Sequence, residues 1–452
     1  MVSSLKEATT ATPHRRILAI AGPAILANSS APLVGLVDTW AIGHLPDAVH
    51  LAAVGLGSVI FNYLFWAFGF LRMATTGLVA QAWGQGDSRA LTARILRSGA
   101  LSLILGVALL LLQRPILALS LGALAPPGEV AAITAEYYAI RIWAAPASLL
   151  VFAASGVLFG LGRTRSVLVL QLVLNVTNGV LNVTFVIGLG MGVPGVALGT
   201  LIAQWLAAAA GLWLVVRIAG ARPLLAAAGA GGTWLLSRFR RLVVINGFIF
   251  VRTVFLMTAL AIIMRVAGTL GEVDMAASHV INQYMLLMAL GLDGFAHAVE
   301  ALAGRAWGRG SRAGFRRWVV LTAGWAGLAS LAYAVLFWVA GDWITGLLTD
   351  IEPVRAGVAD IMPLITALPI IAVWCYHLDG VYIGATAAAA MMVTMGIAFA
   401  VYLLVLGPAT TAWGLRGLWG AVLVFMAARG LAQAAWYPRL EARLPAVDVP
   451  RG

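Results

Sequence analysis

The 452-residue chain contains one cysteine, Cys375, and one lysine, Lys6, and only 10% of its residues are charged. Each scarcity excludes something. A single thiol allows neither an intrachain disulfide nor a cysteine-based metal cluster. Lys6 lies outside any GxxxxGK[ST] pattern, so no Walker-type site binds ATP on this chain. The six histidines form no HExxH pair. Soluble domains carry about 25% charged residues. Here hydrophobic residues reach 62% and the mean hydropathy is +0.96. Surface-to-volume scaling gives a soluble fold no means of hiding that much apolar surface. The sequence therefore predicts an integral membrane protein. The segment from Met1 to His14 is short and polar, and the apolar run after it exceeds a signal-peptide core, which predicts an uncleaved first membrane helix.

At about 20 apolar residues per crossing, the chain divides into twelve spans. They fall near 17–43, 51–80, 95–118, 131–155, 166–190 and 194–217, then 242–267, 275–304, 318–341, 357–383, 387–406 and 413–436. The fold class is thus all-α, with a six-helix N-terminal lobe (1–217), an Ala/Gly-rich linker (218–241) and a six-helix C-terminal lobe (242–452). The lobes repeat one another. Ala82-Trp83-Gly84-Gln85-Gly86 matches Ala306-Trp307-Gly308-Arg309-Gly310 at an offset of 306 − 82 = 224, and the same offset pairs Gly156 with Gly380 and Gly160 with Gly384. Later the offset becomes 222, pairing Gly192 with Gly414 and Arg217 with Arg439. An even number of spans per repeat makes the repeats parallel, an arrangement typical of secondary transporters.

The formal charge of +12 is topological rather than a nucleic-acid footprint. Of 29 basic residues, twenty-one fall on the side holding both termini and the even-to-odd loops, among them Lys6, Arg15, Arg94, Arg97, Arg238 and Arg241. Only Arg114, Arg265, Arg355 and Arg416 fall on the other side. The positive-inside rule then places both termini in the cytoplasm.

Few ionisable groups remain inside the spans, and each costs roughly 2.5–3.5 kcal/mol at a helix centre, so each should face a cavity or a partner. Asp38 lies in span 1, roughly 9 Å below the outer interface by helix rise, on a helix that also carries Pro23 and Pro32. It reads either as a carboxylate snorkelling outward or as a proton- or cation-binding group, and an isolated acid on a proline-bent helix favours the second. In span 5, Asn175, Asn178 and Asn182 share one helical face at i, i+3 and i+7, with Thr200 of span 6 within reach. This face reads equally as interhelical glue or as a ligand surface. In span 8, Asp293, His297 and Glu300 share a stripe at i, i+4 and i+7, consistent with a proton route in which His297 pairs with Asp293. Asp379 in span 10 is open to a structural or a functional role. Arg72 in span 2 is expected to pair with an acid or with helix-end carbonyls. Arg141, Arg252 and Arg429 are the other bases within spans.

Several segments resemble the multidrug and toxic compound extrusion (MATE) family. Gly35-Leu36-Val37-Asp38-Thr39 followed by Ile42-Gly43-His44-Leu45 is similar to its span-1 signature. Phe70–Leu78, Leu292–Ala301 and Trp374–Thr386 resemble its DinF-like branch. The resemblance covers about 15 to 440. It implies a V-shaped pair of six-helix bundles that export drugs or toxic metabolites in exchange for protons or sodium by alternating access. It also implies a cation or proton site at Asp38, Asn178, Asn182 and Thr200. The second span-5 position is commonly Asp in the family, and this chain has Asn182. One carboxylate fewer makes a poorer sodium site, because hard cations favour anionic oxygen ligands, whereas a proton needs only Asp38.

The expectation is therefore a proton-driven antiporter of amphipathic, cationic compounds in a bacterial inner membrane, acting as a monomer among lipids. Neither cofactor nor metal is expected beyond the coupling ion, H+ or alternatively Na+ at the same four residues. A sodium-coupled exporter and a flippase for a lipid-linked saccharide are the alternatives. The flippase ranks lower because few arginines lie inside spans. A membrane enzyme, such as a glycosyl or acyl transferase, is disfavoured because the short loops offer no carboxylate or histidine cluster.

Overall fold

The computed structural model describes residues 12–43 and 47–445, with the side chains of 31–42 outside the description. The chain is helical, with no strand among the described residues. Its helices are α1 (Pro13–Gly43), α2 (Ala48–Ala67), α3 (Phe70–Gln85), α4 (Ser88–Leu111), α5 (Gln113–Leu124), α6 (Gly128–Arg141), α7 (Ala145–Gly160), α8 (Thr164–Asn182) and α9 (Gly192–Ala219). They continue as α10 (Ala221–Gly229), α11 (Leu236–Leu270), α12 (Glu272–Arg309), α13 (Arg312–Leu348), α14 (Glu352–Gly384) and α15 (Ala388–Glu441).

Ten helical stretches among the described residues are long and apolar enough to cross a membrane. One of them, α15, is two helices joined at Gly414, whose φ of 52° and ψ of −127° interrupt its 54 residues. Counting it as two and adding the 31-residue α1 gives twelve crossings.

Prolines explain where the helices depart from the spans expected from hydropathy. Span 3 was expected to run to 118, yet α4 stops at Leu111 and α5 begins at Gln113. Pro115 has no N–H to return to the carbonyl of Leu111, which favours a break there. Span 4 is likewise interrupted by a 3-10 turn at Ile142–Ala144, which ends two residues before Pro146. The segment read as a linker has helical structure of its own. It contains α10 and the first turns of α11.

The chain forms two compact units. Among the described residues, the first comprises those within 26–243; the second comprises 244–445 together with 12–25, which include the start of α1. In the first, α3 packs on α7 and α8 on α9; in the second, α12 packs on α14. The core of the second is large and apolar, with Tyr284, Phe337, Tyr402 and Phe425 all under 2% exposed.

The repeat seen in the sequence recurs as matched close contacts within each unit. A Cβ on Gly156 would lie 2.6 Å from the Arg72 carbonyl, and one on Gly380 would lie 2.5 Å from the Ala296 carbonyl. Gly160 abuts the Thr76 carbonyl and Gly384 the Glu300 carbonyl. Every pair is related by the offset of 224. The helix ends agree as well. Gly86 and Gly310 close α3 and α12 in the left-handed conformation (φ 70° and 73°), and Asp87 and Ser311 cap the following helices through the N–H groups of Ala90 and Gly314. Since the atoms facing these glycines are backbone, an added methyl has nowhere to go. Gly380→Ala is expected to cost about 1–3 kcal/mol, read as a lowered unfolding midpoint in detergent. Gly324→Ala, at a position inside α13 with open space around it, should not lower the midpoint and should raise it slightly, because alanine favours the helix by about 0.5–1 kcal/mol.

Candidate functional site

In the first unit the amide face of α8 meets α1 and α9. The Asn178 side-chain amide donates to the Thr200 hydroxyl at 3.1 Å, and that hydroxyl donates to the Val196 carbonyl at 3.1 Å. The Asn175 amide donates to the Ser30 hydroxyl at 2.8 Å. All three asparagines are buried, Asn182 completely. The amide oxygen of Asn182 lies against Gly199, where a Cβ would sit 2.2 Å from it. Gly199 and Thr200 thus act as a pair, the first offering bare backbone to Asn182 and the second a hydroxyl to Asn178.

Three of the four residues expected to form the coupling site, Asn178, Asn182 and Thr200, therefore converge. The side chain of the fourth, Asp38, lies outside the described residues. Its level follows from helix rise. Span 1 and span 5 cross in the same sense, and the Ser30–Asn175 bond sets their register. Asp38 is eight residues beyond Ser30, about 12 Å along α1, and Asn182 is seven beyond Asn175, about 10 Å along α8. The carboxylate-bearing residue thus shares a level with Asn182.

The structure adds a feature that hydropathy did not reveal. Immediately after Asn182 the helix widens into a π-turn, Val183–Gly188, a distortion often found at functional sites. It forms where α8 must re-aim before the glycine-rich turn at Gly190 and Gly192. A side chain at Gly199 should disturb this corner, where Asn182 already occupies the space. Gly199→Ala is expected to lose about 1–3 kcal/mol by overpacking against Asn182, and unfolding midpoints should show Asn182→Ala/Gly199→Ala no worse than Asn182→Ala alone.

In the second unit Asp293, His297 and Glu300 all lie on α12. The ion pair seen there joins His297 Nδ1 to Glu300 Oε1 at 3.4 Å, with both side chains buried. Asp293 is partly exposed and lies within electrostatic reach of Tyr376. The i, i+3 spacing of His297 and Glu300 brings those two together on one turn.

Asp379 is the centre of a cluster drawn from three helices. Arg252 of α11 pairs with its Oδ2, Arg429 of α15 donates to the same oxygen at 2.9 Å, and Gln433 donates to Oδ1 at 2.6 Å. All four residues are buried, so two guanidinium groups share one carboxylate. That arrangement neutralises Asp379 within the helix packing. Arg72, expected to meet an acid or helix-end carbonyls, lies over the Phe159 ring at 5.5 Å.

These features define a multi-pass helical membrane protein built from two related units, with polar side chains confined to a few buried faces. The MatE family model matches residues 23–184 and 249–409, and the chain belongs to this family. It is 36% identical over 427 residues to DNA damage-inducible protein F of Escherichia coli, covering 93% of this chain and 91% of that protein. It is 30% identical over 440 residues to Protein DETOXIFICATION 44, chloroplastic, of Arabidopsis thaliana, covering 93% and 81%. A crystal structure of a Vibrio cholerae MATE transporter mutant shares the fold, with a TM-score of 0.84 at 20% identity over 95% of this chain and 97% of that one.

Proposed function

We propose that the chain exports amphipathic, cationic small molecules in exchange for protons, with Asp38 as the coupling carboxylate. Family membership supports the exporter reading. One observation carries the choice of proton: among the described residues of the first unit no aspartate or glutamate is buried. The polar face level with Asp38 is made of amides and a hydroxyl. Those groups orient a carboxylate and its proton but bring no second negative charge for a sodium ion.

Deprotonated Asp38 attracts a cationic substrate, and protonation from outside weakens that attraction and releases it. Each positive charge that moves inward gains about 2.3 kcal/mol per 100 mV of membrane potential. Coupling requires that proton and substrate differ in affinity for the outward- and inward-facing states. The lobes at 1–217 and 242–452 supply the two bodies for alternating access. The arginine-rich side, with both termini, faces the cytoplasm, and in a bacterium the membrane is the inner one. The protein acts as a monomer and needs no bound cofactor.

The test is efflux of a cationic dye from proteoliposomes under an imposed pH gradient and, separately, a sodium gradient. The pH gradient is expected to drive export and the sodium gradient to leave it at background. Export driven by sodium alone would overturn the coupling assignment.

A further inference from the structure

Four arginines converge at the start of α4 and the start of α11, within the first unit. Arg94, Arg97, Arg238 and Arg241 line a cavity of about 280 Å³, with Leu78 and Leu242 as its apolar wall. Arg97 is buried, only 9% exposed, and its Nε has no hydrogen-bond partner. Arg94 donates to the Leu78 carbonyl, while Arg241 and Arg97 repel it and Arg238 repels Arg97. The carboxylate near this cluster, Asp87, is exposed, and it caps α4 by accepting from the Ala90 N–H at 2.9 Å.

The positive-inside rule accounts for basic residues on this face, but it places them in water, not in a cavity. Nor does the repeat account for them. At the offset of 224, Arg94 and Arg97 correspond to Trp318 and Leu321, and Arg238 and Arg241 to His14 and Ile17. The second unit keeps none of the four charges at these positions, and the more open cavity beside His14 there is lined by two arginines, Arg316 and Arg317, instead of four. In its place, the Trp325 indole N–H donates to His14 Nδ1 at 3.1 Å. The convergence of four arginines is thus particular to one lobe, and an anion would offset its mutual repulsion.

We propose that this cavity binds a phosphate-bearing anion, with the guanidinium groups of Arg97, Arg238 and Arg241 around its oxygens. Guanidinium groups match phosphate geometry through paired N–H donors. Basic pockets between membrane helices suit phospholipid headgroups, and the leucine wall accommodates the glycerol end of one. The same chemistry fits free phosphate, and experiment separates the two sources.

Delipidated protein is titrated with dioleoylphosphatidylglycerol, dioleoylphosphatidylcholine or inorganic phosphate, and read by native mass spectrometry and by the unfolding midpoint. Phosphatidylglycerol is expected to be retained and to raise the midpoint, with affinity about fivefold weaker for each guanidinium removed. Arg97→Gln tests the buried donor. Arg238→Gln/Arg241→Gln, at exposed positions, tests the site should Arg97→Gln fail to fold. If phosphate alone reproduces the effect, and does so through the same arginines, the site takes a free anion. Equal retention of both lipids, with no response to phosphate or to either variant, overturns the proposal.

Discussion

Asp379→Ala is expected to destabilise the protein by about 3–5 kcal/mol, the cost of leaving a buried charge without its counter-ion. The effect should sit at the upper end of that range, because the substitution strands two guanidinium groups, Arg252 and Arg429, at once. Both are buried, at 6% and 3% exposure, and neither can reach water without unpacking its helix. The order of effects is the sharper test. Arg252→Met leaves Arg429 and Asp379 as a one-to-one pair, still supported by Gln433, so it should cost clearly less than Asp379→Ala. Unfolding midpoints in detergent check this. Equal losses would mean that Arg252 and Arg429 do not share the carboxylate's stabilisation.

Asn182→Asp is expected to make the protein respond to sodium. The side chain is fully buried, so a second carboxylate level with Asp38 would raise the local negative charge and restore the oxygen chemistry that hard cations prefer. In sodium-free buffer the variant should be about 3–5 kcal/mol less stable, again because a buried charge lacks its partner. Adding sodium chloride should recover much of that loss, and choline chloride should not, since a ligand that binds only the folded state stabilises it by mass action. Wild type should show no difference between the two salts. The comparison therefore reads the chemistry of this face without any transport assay.

Much of this architecture is legible in the amino-acid sequence. The offset of 224 seen in Gly156 and Gly380 reappears as equivalent backbone contacts, because a glycine at a helix crossing is fixed by the carbonyl it meets. The three asparagines of α8 were legible as one face, since helical periodicity acts within a single segment. The Asp379 cluster was not. Its members are 127 and 50 residues apart along the chain and sit on three helices, so no periodicity connects them. Arg429 and Gln433 at i, i+4 were its one local trace. The breaks at Leu111 and Ile142 were readable in principle from Pro115 and Pro146. A hydropathy window averages over a single proline, so the expected spans ran through both positions. The π-turn after Asn182 has no such marker, because Val183–Gly188 is as apolar as its neighbours.

The central claim is that Asp38 carries the proton that drives export, and substrate-driven proton movement tests it most directly. Proteoliposomes with a pH dye inside are given a cationic substrate in the outside buffer, with no other gradient. In wild type, substrate entering down its gradient should move protons out and raise the internal pH. Asp38→Asn, reconstituted to the same density, should bind the substrate more weakly and produce no pH change. Proton movement at the wild-type rate in Asp38→Asn would contradict the account.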